Sequence, residues 1–314
     1  MIKLSHIINP VSEKEHAELF ETQKISFASL IKAKEYAEKI CSVELCTIQR
    51  SSDNNFIPTS FISLPALTRD VRDLVKETNK PYPFLGDIIS AHAKFSEADY
   101  LIYTNLDIAV MPFFYEAIIG YIQQGHDAVV INRRRLNNRY EKEKNLALLY
   151  AEAGRDHTGY DCFVIKKSLI QKFIFKDICL AVPGAGNDLF YNVFTFAENP
   201  ILFTEKHLTF HVGFELYKAW GDEATNLHNQ KEFLKLLQEL KPLMKADKFP
   251  GADLSLFSRH FKWLMNPTFH YPTMFALDAQ RGFKKSLPKF EQSFNYTPKQ
   301  RYLEWLIRIV NFKE

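Results

Sequence analysis

The stretch Asp99-Tyr-Leu-Ile-Tyr-Thr-Asn105-Leu-Asp107-Ile108 decides how this chain folds. Residues 99–104 are dense in aromatic and β-branched side chains, the pattern of a strand buried on both faces. Two short polar residues follow at once. Asn105 and Asp107 are two positions apart, so both side chains can project to one side where the strand ends. A carboxylate there can hold a divalent cation, and the cation can hold a diphosphate while keeping several of its own waters. The amide of Asn105 can hydrogen-bond a ribose or pyrophosphate oxygen without adding charge. The same two residues can equally make the turn and cap the next helix.

Strand and helix signals alternate on both sides of this stretch. Upstream, Ile2–Pro10 reads as a first strand ended by proline, and Ser12 with Glu15 as a capping box opening a helix that runs to about Lys39. Ser42–Ile48 reads as a second strand, Gln49–Asn55 as a polar loop, and Asp70–Thr78 and Phe84–Phe95 as helices. Downstream come a helix over Pro112–Gln124 and a strand over Ala128–Asn132. The fold class expected is α/β, a mostly parallel Rossmann-like sheet with helices on both faces. Ligands bind such sheets outside the carboxyl ends of the strands, so residues just after strands carry the most information.

Several classes fall away on composition. The chain has 314 residues, 46% hydrophobic and 25% charged, an ordinary globular balance. It carries 40 Lys/Arg against 37 Asp/Glu, a net +3, which argues against a nucleic-acid footprint. No apolar run approaches the roughly 18–20 residues of a membrane helix. The start, MIKLSHIINP, lacks the basic, apolar and small-residue sections of a secretory signal. Cys41, Cys46, Cys162 and Cys179 are scattered without zinc spacing, as expected of buried thiols in a reducing, cytoplasmic location. Residues 251–314 differ from the rest, with ten Lys/Arg, five Asp/Glu and 13 aromatics. That shift places a boundary near Pro250-Gly251, giving domains 1–250 and 251–314. In the tail, Thr297 and Pro298 read as a helix start, with Leu303, Leu306, Ile307 and Val310 on one apolar face. Such a basic, aromatic helical extension either packs on the first domain or gives peripheral contact with the inner face of an anionic membrane.

YLIYTNLDIAVMPFFY, residues 100–115, resembles the metal-binding stretch of the GT-A-type glycosyltransferases (family 2-like), enzymes that use nucleotide-sugar donors. Their signature is Asp-x-Asp after a central strand; here it reads Asn-x-Asp, so Asp107 is the matched metal carboxylate. The resemblance runs to about residue 215, two-thirds of the chain. It implies that Asn105 contacts the nucleotide, that the ends of the first two strands, at Asn9-Pro10 and at Asp53, cradle its base and ribose, and that a late histidine, His211, is a second metal ligand. An imidazole beside a carboxylate favours manganese over magnesium. In a strand His207 would share a face with His211, but only His211 matches the family position. Family members also draw a catalytic base from a later loop. Pro183-Gly-Ala-Gly-Asn-Asp188 looks like that element, with an N-capping Asp188 the plain alternative. Asp161, ahead of the strand-like Cys-Phe-Val-Ile, competes for the role; one of the two is expected to act as base and the other to bind sugar or acceptor hydroxyls. Arg133 and Arg134 follow a strand and suit bidentate phosphate contacts, or form a solvated basic turn.

The resulting expectation is a polysaccharide-type hexosyltransferase. It would move a sugar from a nucleoside diphosphate to a carbohydrate or lipid-linked hydroxyl, assisted by Mn2+ or Mg2+, and invert the anomeric centre if Asp188 is the base. A non-catalytic nucleotide- or carbohydrate-binding module on the same fold is the alternative. Nucleotidyl transfer is disfavoured because no glycine-rich phosphate loop follows the first strand, and neither GxGxxG nor GxxxxGK[ST] occurs.

Overall fold

A computed structural model describes residues 1–12, 17–51, 53, 57–136, 145–157, 159–181, 185–212 and 222–255, with 257, 258, 261, 303 and 306. Its elements in chain order are β1 (Lys3–Ile8), α1 (Ala17–Ala37), β2 (Ser42–Thr47), β3 (Ile62–Ser63), α2 (Leu85–Phe95), β4 (Tyr100–Thr104), β5 (Ala109–Val110) and α3 (Phe114–Gln123). There follow β6 (Ala128–Ile131), β7 (Arg134–Leu136), α4 (Leu146–Ala151), β8 (Arg155–Asp156), β9 (Cys162–Lys166), α5 (Lys167–Ile170), α6 (Ala185–Phe196), β10 (Pro200–Phe203), β11 (Thr209–Val212) and α7 (Glu223–Leu240). Chain contacts group Met1–Phe233 and Leu234–Glu314 into two compact units, a division ahead of the composition change at residue 250. The Ser12–Glu15 capping box and most of the tail helix, Thr297, Pro298, Ile307 and Val310 included, lie outside the described residues; Leu303 and Leu306 are helical.

The first unit is the expected α/β architecture. Seven strands form one sheet in the order β10-β6-β9-β4-β1-β2-β3. All neighbours run parallel except β9, which is antiparallel to both β4 and β6. Strand alternation then assigns the helices to faces. From β1, Leu4 and Ile8 join Phe27, Leu30 and Ala33 of α1 and Phe114 and Ile118 of α3 in one apolar cluster. Ser5, pointing the other way, bonds His92 of α2 at 2.7 Å. Helices therefore cover both faces, and β1, β4 and β6 are almost wholly buried. Each large aliphatic side chain enclosed here contributes about 1.5–3 kcal/mol.

Two polar residues of β1 sit inside this core. His6 bonds Tyr115 Oη and Thr104 Oγ1, each at 2.9 Å, and so ties the end of β4 to α3. Burial, with His92 nearby, lowers its pKa to about 3; burial does the same to His92.

One expected helix is absent. Asp70–Thr78 forms only a single 3-10 turn, Val71–Asp73. Asp70 closes a capping box with Asp73, and its carboxylate also takes Arg72 Nε and Nη2, while the Val71 N–H is drawn to Tyr82 O. The cap of a helix start is therefore complete, but the turn does not propagate beyond Asp73.

A second, four-stranded sheet has the order β5-β11-β7-β8. Among the described residues no helix is long and apolar enough to cross a membrane, and all four cysteines are buried and unpaired.

Candidate functional site

The parallel strands β1, β2, β4 and β6 all end at one edge of the main sheet, and antiparallel β9 begins there. That geometry gathers residues scattered over the sequence: Asn9 and Pro10 after β1, Asp53 after β2, Asn105 and Asp107 after β4, Arg133 after β6 and Asp161 before β9.

Asn105 and Asp107 do not continue the strand. The chain turns directly after Thr104, closed by the Ile108 N–H on Asn105 O at 3.0 Å. The side chains consequently part. Asn105 Oδ1 accepts the Tyr103 hydroxyl at 3.0 Å. Asp107 Oδ2 lies 3.3 Å from His211 Nε2 on β11, both side chains being about a fifth exposed. Burial alone would raise the Asp107 pKa, but the His211 hydrogen bond and charge, helped by Arg133, hold it at about 2. His207 sits in the turn before β11 and does not share the face of His211.

Asp161 is buried and bonded by the Arg133 guanidinium, with the Arg133 backbone N–H 3.4 Å from its other oxygen. Asp188, in the first turn of α6, is also buried. Its Oδ1 accepts the Leu189 N–H at 2.6 Å, while Oδ2 has no hydrogen-bond partner among the described residues. Burial drives its pKa well above the carboxylate range. Tyr103 connects the set: beyond burial, the fields of Asp188, Asp107 and Asp161 all raise its pKa, so the three carboxylates lie in the neighbourhood of one buried hydroxyl.

Helix α6 approaches this edge closely because Gly186 has no side chain. A Cβ there would stand 2.8 Å from Tyr160 O, one residue before Asp161. Ahead of α6, Ala181 holds φ 62°, a left-handed conformation that costs an alanine about 1–2 kcal/mol. Strain of this kind concentrates beside functional sites. Residues 182–184, including Pro183 and Gly184, lie outside the described residues.

The first two strand ends are more occupied than expected. The Asn9 amide donates to Ile48 O at 2.7 Å, locking β1 to β2, and Pro10 is buried beside it. Gln23 of α1 clamps Val11 through both its N–H and C=O. Asp53 is engaged by Arg50 through Nε, Nη2 and the backbone N–H, in a buried group that includes Asp70 at 3.7 Å. Its carboxylate is thus held by Arg50.

Arg134 is not brought to the cluster. Strand alternation turns it to the face it shares with Phe210 and Leu136, where it bonds Ala153 O, Gly154 O and Asp156. Arg133 and Arg135 occupy the opposite face. The sequence reading also passed over Tyr103 and His157. His157 feels Arg133, Asp161, Arg135 and His211, and burial together with those cations lowers its pKa to about 4. For the arginine run the available signal is the period of two: in a strand over 133–135, the first and third arginines face together.

Asp107 and His211 fit a divalent cation of the Mg2+/Mn2+ type. Neighbouring ligands of an octahedral ion with bonds near 2.1 Å stand about 3 Å apart, close to the separation here. No group of three or more His, Cys, Asp or Glu residues able to hold a metal occurs among the described residues. An ion held by two protein groups would need substrate phosphates and water to complete its shell, the habit of these cations.

No protein-family model and no curated protein matches the chain. Solved structures with a similar course include residues 1–349 of TarS from S. aureus, at 12% identity and a TM-score of 0.48, over 94% of this chain and 78% of that one. The same fragment in complex with UDP-GlcNAc gives 12% and 0.44, over 93% and 92%. Glucosyl-3-phosphoglycerate synthase from Mycobacterium tuberculosis, in complex with Mn2+, uridine diphosphate and phosphoglyceric acid, gives 15% and 0.42, over 76% and 78%. Likeness at this level carries no argument about chemistry, which must come from the residues of this chain.

Proposed function

We propose that this chain is a nucleotide-sugar glycosyltransferase, transferring a sugar from a nucleoside diphosphate to a hydroxyl acceptor with the help of Mn2+ or Mg2+. The observation that carries the reading is the convergence of Asp107–His211, Asp161–Arg133 and Asp188 around Tyr103 at the carboxyl edge of the sheet. A divalent cation bound by Asp107 and His211 would supply positive charge against the diphosphate as it leaves. Asn105, its carbonyl fixed by Tyr103, keeps its N–H2 to donate to a ribose or phosphate oxygen.

Between the two candidate bases, bonding favours Asp188. Asp161 is neutralised by Arg133, which suits a positioning role toward sugar hydroxyls. Asp188 has an oxygen without a partner and a pKa raised by burial, so its carboxylate, once formed, is a stronger base than an exposed one. It would take the acceptor hydroxyl proton as the acceptor oxygen attacks the anomeric carbon, and direct attack of that kind inverts the centre.

The test is thermal unfolding with UDP, GDP, CDP and dTDP, each with and without Mn2+, in the wild type and Asp107→Ala. Ligand at 100 times its Kd adds about 2.7 kcal/mol, several degrees in Tm. One diphosphate stabilising only with metal, and not in Asp107→Ala, supports the reading and names the donor base. Stabilisation that persists without metal removes Asp107 from its role, and no shift with any of the four favours a binding module that has lost the chemistry.

A further inference from the structure

The small sheet collects positive charge on one face. In β11 and β7, His211 pairs in register with Arg135; in β7 and β8, Arg135 pairs with Arg155. The ladder extends one step further, because the His157 N–H bonds Arg133 O at 3.2 Å and sets those two residues opposite each other. By alternation Arg133, Arg135, Arg155, His157 and His211 all point to the same side. Like charges directly opposite across a ladder are destabilising. The face is nonetheless held in place by Gly154, whose φ of 62° and approach to Arg135 O, 2.7 Å from where a Cβ would sit, admit no side chain without strain.

Two carboxylates near this side already have partners: Asp161 engages Arg133, and Asp107 bonds His211. Arg135 is different. Its half-buried guanidinium has no hydrogen bond or ion pair among the described residues, and its Nε is enclosed without a partner. His157, next along the face, is kept neutral under physiological conditions by burial and by Arg133 and Arg135, so it can donate one N–H without adding to the repulsion.

We infer that Arg135, flanked by His157 and Arg155, forms an anion subsite for a phosphate group beside the Asp107–His211 pair. This rests on the glycosyl-transfer reading for the identity of the bound molecule, but not for the existence of the subsite. A planar guanidinium with free N–H groups matches phosphate oxygens two at a time. Two sources offer that group, the diphosphate of the donor and a phosphate carried by the acceptor. An acceptor phosphate held here would make the enzyme selective for phosphorylated or otherwise anionic acceptors.

The experiment titrates the full chain with inorganic phosphate, alone and in the presence of each nucleoside diphosphate with Mn2+, at constant ionic strength. Wild type, Arg135→Gln and Arg135→Lys are compared, and melting curves verify that each is folded. The expected result is saturable phosphate binding weakened at least tenfold in Arg135→Gln and partly restored in Arg135→Lys. Binding alongside the diphosphate assigns the subsite to the acceptor; displacement by the diphosphate, with diphosphate affinity also falling tenfold in Arg135→Gln, assigns it to the donor. Phosphate binding that is absent in the wild type, or equal in Arg135→Gln, overturns the subsite. Should Arg135→Gln fail to fold, a wild-type affinity that Arg135→Lys leaves unchanged does the same. If no nucleoside diphosphate binds while phosphate binding still depends on Arg135, the subsite stands and the glycosyltransferase reading falls.

Discussion

Moving from pH 7 to pH 5 should destabilise this protein by about 4 kcal/mol through two buried histidines, one in β1 and one in α2. His6 and His92 are fully buried in the core of the main sheet, each with a pKa lowered from the usual 6.5 to about 3. A lowered folded pKa means that the unfolded chain binds protons which the native state refuses between pH 6.5 and 3. Stability is therefore lost as pH falls through 6.5, and the loss levels off below 3. At pH 5 each group sits 1.5 units below 6.5, which at about 1.4 kcal/mol per unit is about 2 kcal/mol per histidine. For a unit of this size the pair would lower Tm by roughly 8–16 °C. The measurement is urea unfolding at pH 7 and pH 5, in the wild type and in His92→Gln, whose amide can still meet Ser5. His92→Gln starts less stable because it packs less well, but should lose about 2 kcal/mol less on acidification. Other groups that titrate in the window, His157 and His207 among them, cancel in the comparison. An identical pH slope in the two proteins would show that His92 is not held neutral by burial, and would refute the reasoning.

Three further outcomes follow from single contacts. Asp188→Asn keeps the shape of a buried, protonated carboxyl, so folding and diphosphate affinity should persist while turnover falls about 10²–10⁴-fold; unchanged turnover would exclude it as base. Gly154→Ala should cost about 2 kcal/mol or more in urea unfolding, from a left-handed backbone and a contact with Arg135 O, and should abolish phosphate binding at the basic face. Asn192→Ala removes a side chain that accepts the Ile174 N–H at 2.8 Å and donates to Ile174 O at 2.9 Å; the backbone pair left behind should lower stability by about 2–4 kcal/mol, and a loss below 0.5 would show that water replaces both bonds.

What could be read from the sequence follows from how local each signal is. The run Asp99–Thr104 announces a central strand because burial on both faces leaves an unbroken apolar pattern, and the polar residues after it mark the edge where ligands collect. Direction leaves no such trace. Cys162–Lys166 is as apolar as the parallel strands beside it, and only the pairing shows that it runs the other way, which is what delivers Asp161 to the shared edge. Partnership is equally hidden. Nothing in the loop after β2 says that Arg50 will claim Asp53, and nothing near Asp107 says that a histidine about a hundred residues later will meet it at 3.3 Å. Asp70–Thr78 misleads for the complementary reason: Asp70 and Asp73 do form the capping box of a helix start, but only the single turn Val71–Asp73 follows it.

The three arginines show where pattern and chemistry diverge. As a run, Arg133-Arg134-Arg135 suggests a phosphate contact made by whichever residues come first. Folded into a strand, the run is cut by its own periodicity: the middle arginine goes to the apolar face and bonds Ala153, Gly154 and Asp156, while the outer two share the opposite face. Of those two, Arg133 is neutralised by Asp161, and Arg135 has no partner among the described residues for the N–H groups that an incoming anion requires. Composition suggests the chemistry; the register of three strands determines which arginine is available for it.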